Sequence, residues 1–324
     1  MESKRHILWS WIEQGDISRD KASQALSVTG ILPDSQSWES FIEKLFLWLG
    51  VLAICLSVMF FMAYNWDQMG RFSKFAIVEA LIMLCLLAYW RYVNKQVAAQ
   101  LTLMAASILL GILLALYGQT YQTGADPWQL FASWALLILP WVLLARFPAL
   151  WIMWIVLLNL SLLLYSATFF RVFGLVFRSD LDMFWLLFLL NTLAWAGWEL
   201  SSNRFKWLQE RWAVRVLAVA SGTAITTLMM NNIFSSHIDS LSPVAAYLIW
   251  ITALIAVYQF VRVDLFMLAG ACLSVSCVIT ALFVNALFNS HSWLGSMFTL
   301  TLVVLGLATG SAFWLKRVQQ RMRT

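Results

Sequence analysis

Residues 97–145 read VAAQLTLMAASILLGILLALYGQTYQTGADPWQLFASWALLILPWVLLA. Two apolar stretches, near 97–117 and 127–145, flank a polar run from Gly118 to Trp128, GQTYQTGADPW. Each flank is close to the roughly 20 residues that cross a hydrocarbon core of about 30 Å as a helix. The polar run cannot lie bare in lipid, where each unpaired polar group costs several kcal/mol. It sits at an aqueous face or folds into a protein-lined cavity, and the helices on either side of it belong to the membrane.

The rest of the composition agrees. Of 324 residues, 62% are hydrophobic and 11% charged, against about 25% charged in a soluble domain. The 19 Trp and 22 Phe suit rings at membrane interfaces and between helices better than an aromatic cofactor box. Cys55, Cys85, Cys272 and Cys277 all fall within apolar stretches, without a C-x-x-C pair or zinc spacing, so they read as small core residues and no disulfide is expected. The first forty residues are polar and lack the apolar centre of a cleavable leader.

From the N-terminus, residues 1–40 read as a small cytosolic helical hairpin and 41–324 as the transmembrane domain. Ile7, Leu8, Trp11 and Ile12 recur at helical spacing, and G-D-I-S then breaks the helix. Ser18 is placed to cap a second helix, which ends at Gly30 before Pro33. Ser40 and Glu43 form a capping-box pattern that starts the next helix. Ten apolar spans follow, near 45–64, 73–90, 97–117, 127–145, 149–170, 182–199, 213–230, 244–261, 265–288 and 293–315. The fourth and fifth are joined only by R-F-P and form a tight hairpin, whose re-entry would change the count. The expected fold is all-α, a polytopic membrane bundle of about ten helices.

An even number of spans puts both termini on one side. That side collects seventeen of the 21 Lys and Arg, leaving only Arg71, Lys74, Arg171 and Arg178 on the other. Basic residues accumulate in short cytoplasmic segments, so both termini are expected in the cytoplasm. The net charge of +5 therefore reflects orientation and attraction to an anionic bilayer surface, not nucleic-acid binding. The polar run falls on the opposite, outer side. With it lie Asn65 and Asp67 after the first span, Asp180 and Asp182, Asn231 and Asn232, His237 and Asp239, and His291.

GQTYQTGADPW followed by QLFASWALLILPW, with AYNWD after the first span and WIEQGDIS in the N-terminal hairpin, resembles an uncharacterised bacterial membrane family, "domain of unknown function twenty-one fifty-seven". The likeness extends to about Trp141. It implies a bacterial inner-membrane protein, often encoded beside another multi-span protein, with no established activity.

Read from the residues, Gln119, Tyr121, Gln122, Asp126 and Trp128, with Asn65 and Asp67, are ligand-binding candidates. Amides and a carboxylate beside aromatic faces suit a neutral polyol or a lipid headgroup. The competing reading is a self-satisfied loop, in which Gly118 and Gly124 allow tight turns and Asp126 caps the helix that Pro127 begins. Glu79 is the one carboxylate well inside a span and is a candidate coupling acid. Alternatively it lies in the interface and meets Lys74 or Arg71. Asn159 and Asn191 are placed for hydrogen bonds between helices. Gly306/Gly310 and Ala218/Gly222 have the small-x-x-x-small spacing of close helix packing or a homo-oligomer contact. His237, Asp239 and His291 form a weak candidate metal site without diagnostic spacing.

No catalytic residue or cofactor motif emerges: there is no nucleophile elbow, H-E-x-x-H or phosphate-binding glycine loop. Three readings stay open. The first is a binding or transport protein for a polar or lipid-borne envelope solute. The second is a structural or sensory subunit beside another multi-span membrane protein. The third is an outer-leaflet enzyme using Asp67 and Asp126 as acid and base.

Overall fold

The computed structural model describes residues 8, 11–12, 14–28, 35–65, 68–169, 180–235, 241–288 and 293–321. Among them every regular element is helical. Near the N-terminus, Leu8 and Ile12 are buried, Gly15 turns the chain at φ +84°, and a 3-10 turn at Arg19–Lys21 leads into α1, Ala22–Val28. The long helices are α2 Ser35–Tyr64, α3 Arg71–Arg91, α4 Gln96–Tyr121, α5 Pro127–Ala145 and α6 Pro148–Phe169. They continue with α7 Asp180–Ser201, α8 Arg211–Phe234, α9 Leu241–Ala256, α10 Leu265–Phe288 and α11 Trp293–Arg321. A π-helical turn, Val257–Val261, extends α9. Ten helices, α2 to α11, are long and apolar enough to cross a membrane. This is an all-α polytopic membrane protein.

Several boundaries differ from the sequence reading, the last helix for example running to Arg321 and not to 315, and two of the differences bear on the candidate residues and motifs. The Ser40/Glu43 pattern lies inside α2, which already begins at Ser35. Neither Gly nor Pro occurs between Ser35 and Ser40, so nothing there stops the helix before the capping pattern. At the other boundary, α4 continues through Gly118, Gln119, Thr120 and Tyr121, and the chain leaves it only where Gln122 adopts a left-handed conformation, φ +44°. Polar side chains do not stop a helix whose peptide groups are still pairing.

The chain divides into two compact units, the first Met1–Gly124 with Leu143–Ala145, the second Ala125–Val142 and Arg146–Met322. Each is organised about one helix. In the first it is α4, whose most apolar window is 44% buried against 11% for α2 and 17% for α3. Ala99, Ala105, Ala106, Ser107 and Gly111 on α4 are small and buried, and small residues let neighbouring backbones approach closely in a membrane. Both α2 and α3 pack on it.

In the second unit the central helix is α8, 56% buried over the same kind of window, and α7, α9 and α10 pack around it. Helices gain little hydrophobic free energy by associating in lipid, so close packing and polar links carry more of the burden. Thr192 and Ser221 hydroxyls meet at 2.6 Å, Thr226 and Ser274 at 2.7 Å, and the Tyr247 hydroxyl lies 3.1 Å from Ser274. Asn159 and Asn191 exchange amide hydrogen bonds of 3.2 and 2.6 Å between α6 and α7. The α5–α6 hairpin expected from R-F-P is held by Trp154 Nε1 donating to the Ala135 carbonyl at 3.0 Å. All four cysteines are free.

Of the two small-residue pairs, only the one on α8 meets a neighbour. A Cβ on Gly222 would come within 2.9 Å of the Trp250 ring on α9, whereas nothing lies within 4 Å of one on Gly306 or Gly310. Gly222→Ala should therefore lower stability to chemical denaturation in detergent by about 1–3 kcal/mol, the usual range for overpacking. Gly270→Ala, with open space around its Cβ, should stay within about 1 kcal/mol of the wild type.

Candidate functional site

In the first unit, the beginning of α3 meets the end of α4, where Phe75 contacts Tyr121. Tyr117 and Tyr121, four residues apart, share a face of α4 with ring centroids 4.9 Å apart. Phe75 of α3 stacks on Tyr121 at 6.0 Å with 23° between the planes. Half of each tyrosine remains exposed, 52% and 51%, so the cluster presents a ring surface that its own neighbours do not cover. Gln119 and Gln122 are exposed on the same last turn. Gln122 holds a left-handed backbone that glycine or asparagine adopts more easily, and the Thr120 hydroxyl is buried without a hydrogen-bond partner. The half-exposed tyrosine rings, which can cover an apolar face, and the adjacent Gln122 amide, which can read hydroxyls, suit an uncharged polar ligand, whereas Gln119, two residues from each tyrosine, faces away from the rings.

The other residues singled out from the sequence are placed as follows. Asn65 ends α2, its amide donating to the Phe61 carbonyl at 3.0 Å. Asp126 stands at the N-cap of α5 before Pro127, yet its carboxylate makes no cap hydrogen bond. Trp128 packs edge-on against Tyr165 at 5.0 Å, and its carbonyl accepts a bond from Ser161. Asp126 and Trp128 belong to the second unit, whereas Gln119, Tyr121 and Gln122 belong to the first. Glu79 is exposed on α3, about 12 Å along the helix from Arg71 and one turn below Phe75 on the same face. Lys74 is buried. Asp67, His237, Asp239 and His291 lie outside the described residues, among which no cluster of metal-ligating side chains occurs.

The second unit holds a charged cluster that the sequence reading passed over. Asp264, at 4% side-chain exposure, accepts Nε and Nη2 of Arg215 at 3.2 and 3.1 Å and Nη2 of Arg211 at 3.3 Å. It also caps α10 by accepting the Phe266 N–H at 3.0 Å. Glu199, near the end of α7, accepts Arg211 and Arg262, each at 3.2 Å. Arg262 reaches further to Ser202 and Asn203. Arg211 also lies over the ring of Tyr258, and Arg215 over that of Phe266, at 5.6 and 5.3 Å. Tyr258 is fully buried and accepts the Trp195 indole N–H at 2.8 Å.

One cluster thus ties together α7, α8, α10 and the π-helical turn after α9. Its arginines were legible from the sequence only as an orientation signal. Two acids on the basic side, Glu199 and Asp264, were the available hint that those arginines are also paired.

A buried carboxylate that serves two guanidiniums and a helix cap should be costly to neutralise. Asp264→Asn should lower denaturation stability in detergent by about 2–3 kcal/mol, the range for charge-assisted bonds. Arg204→Gln, on an exposed residue of the same basic side, should change it by less than about 0.5 kcal/mol.

No curated protein and no solved structure matches the chain. Residues 9–151 match the family model described as "Predicted membrane protein (DUF2157)". The match takes in α1 to α5 and the first residues of α6, so the aromatic and amide cluster of the first unit, and not the charged cluster of the second, lies in the part of the chain similar to that membrane-protein family.

Proposed function

We propose that the protein binds a neutral polar solute, or the sugar- or polyol-like headgroup of an envelope lipid, at the Phe75–Tyr117–Tyr121 ring cluster. Gln122, next to Tyr121 at the helix end, supplies the hydrogen-bonding specificity. The observation that carries this reading is the half-exposed Tyr121 ring, stacked on Phe75 at 6.0 Å and followed directly by the exposed Gln122 amide. Aromatic faces accept the apolar side of a polyol, while amides offer both donors and acceptors to its hydroxyls. In this reading the protein lies in a bacterial inner membrane with both termini cytoplasmic, supported by the excess of Lys and Arg on one side. Glu79, one turn below Phe75, is the acid that couples binding to proton movement, because ionisable groups within spans commonly mark pathways.

A second reading, a subunit of a membrane complex, is favoured by one observation. Glu79 is exposed on a membrane helix, and an acid facing lipid is costly, so another multi-span protein or a second copy would cover it.

A thermal-stability screen of purified protein against sugars, polyols and glycolipids tests the first reading. Ligand at a hundredfold excess over its Kd stabilises by about 2.7 kcal/mol. The rise in Tm should disappear in Tyr121→Ala and Gln122→Ala, and proton-dependent flux should be lost in Glu79→Gln. A folded wild type that no compound stabilises rejects the binding reading. Stoichiometric co-purification of a membrane partner, dependent on residues 1–40, is expected of the second reading, and a clean monomer counts against it.

A further inference from the structure

A groove of about 330 Å³ runs along the second unit between α8, α9 and α10. Its walls include Gly222, Thr223, Trp250, Phe266, Gly270 and Leu273. Most of this lining is hydrocarbon. Thr223 satisfies its own hydroxyl by donating to the Val219 carbonyl at 2.8 Å, so the wall asks little hydrogen bonding of a guest. The groove stays open because Gly270 carries no side chain. Gly270 has open space before it, and Gly222 lets the Trp250 ring approach α8 closely. The rim residues Leu273 and Phe266 are exposed, so the groove opens to the hydrocarbon around the helices.

What singles this groove out is its end. Phe266 lines it, and the Arg215 guanidinium lies 5.3 Å above that ring. Arg215 is one turn before Ala218, the first groove residue on α8. From Ala218 to Met230 the groove follows α8 for about 18 Å at 1.5 Å per residue, close to the reach of an extended lipid chain. Arg215 and Arg211 keep 39% and 32% of their side chains exposed while paired to Asp264. The cluster at this end has three guanidiniums, Arg211, Arg215 and Arg262, for two carboxylates, Glu199 and Asp264, which leaves one positive charge. Guanidinium suits phosphate oxygens in bidentate geometry.

We infer that this groove is a binding site for an anionic phospholipid, with the phosphate on Arg215 and Arg211 and one acyl chain along α8 between Phe266 and Met230. The site is independent of the ring cluster of the first unit. It commits to an anionic headgroup because the charged end has a cation in excess, and to a lipid because the arginine pair and the apolar groove share Phe266.

The test is native mass spectrometry of the full-length protein in mild detergent with added phosphatidylglycerol or phosphatidylcholine, each variant being checked for folding. The wild type should retain phosphatidylglycerol over phosphatidylcholine by about fivefold, as expected for one arginine acting on an anionic lipid. Arg215→Gln should abolish that preference. Gly270→Phe, which fills the groove from an open position away from the charged cluster, should lower retention of both lipids. Equal retention of the two lipids by the wild type overturns the proposal. So does undiminished phosphatidylglycerol binding in folded Gly270→Phe, the result expected of a phosphate site without a chain groove. A wild-type dimer that Gly270→Phe dissociates, with no lipid retained, assigns the groove to a second copy and overturns it as well. If Arg215→Gln does not fold, the wild-type headgroup comparison and Gly270→Phe decide the matter.

Discussion

Hydrocarbon offers no hydrogen bonds, and that constraint shapes every part of this chain. A peptide group left unpaired in lipid costs several kcal/mol, so the apolar stretches must satisfy their own backbone as helices. The same rule extends to side chains. The Asn159–Asn191 amide pair, the Thr226–Ser274–Tyr247 hydroxyl chain and the Asp264 carboxylate with its two arginines are all polar groups satisfied by one another. Among the described residues, the Trp250 N–H and exposed Glu79 are polar groups within spans that are not so paired.

Packing follows from the same solvent. Lipid tails are as apolar as leucine, so helices associate through close contact and a few polar links. The helix richest in small buried residues becomes the centre of its unit. On α4 these are Ala99, Ala105, Ala106, Ser107 and Gly111, and on α8 they are Ala213, Ala218, Ser221, Gly222 and Ala224. Gly222 shows the limit of such packing, since the Trp250 ring occupies the space a methyl group would need. Gly270, on the facing helix, has no such neighbour, and the result is a groove instead of a contact.

Two kinds of surface chemistry result. The end of the first unit offers rings and amides without fixed charge, fitted to neutral polar groups. The charged end of the second unit offers guanidiniums beside an apolar groove, fitted to an anionic amphiphile.

Hydropathy alone determined the fold class and the ten spans, because crossing about 30 Å of hydrocarbon demands long apolar segments that few other structures need. The polar run at Gly118–Trp128 was legible as the exception between two spans, and Asn159 and Asn191 as a link between helices, since mid-span amides must find partners. The tertiary structure decided the rest. It carried Gln119 and Tyr121 onto the last turn of α4 and stacked Phe75 on Tyr121 across 46 positions of sequence. It brought Glu199, Arg211, Arg215, Arg262 and Asp264 into one cluster. It also placed Asp126 and Trp128 in a different unit from the residues that precede them by only a few positions. No local pattern encodes these meetings. They depend on which helix faces turn toward each other, which the small residues of the central helices select only when the bundle is assembled.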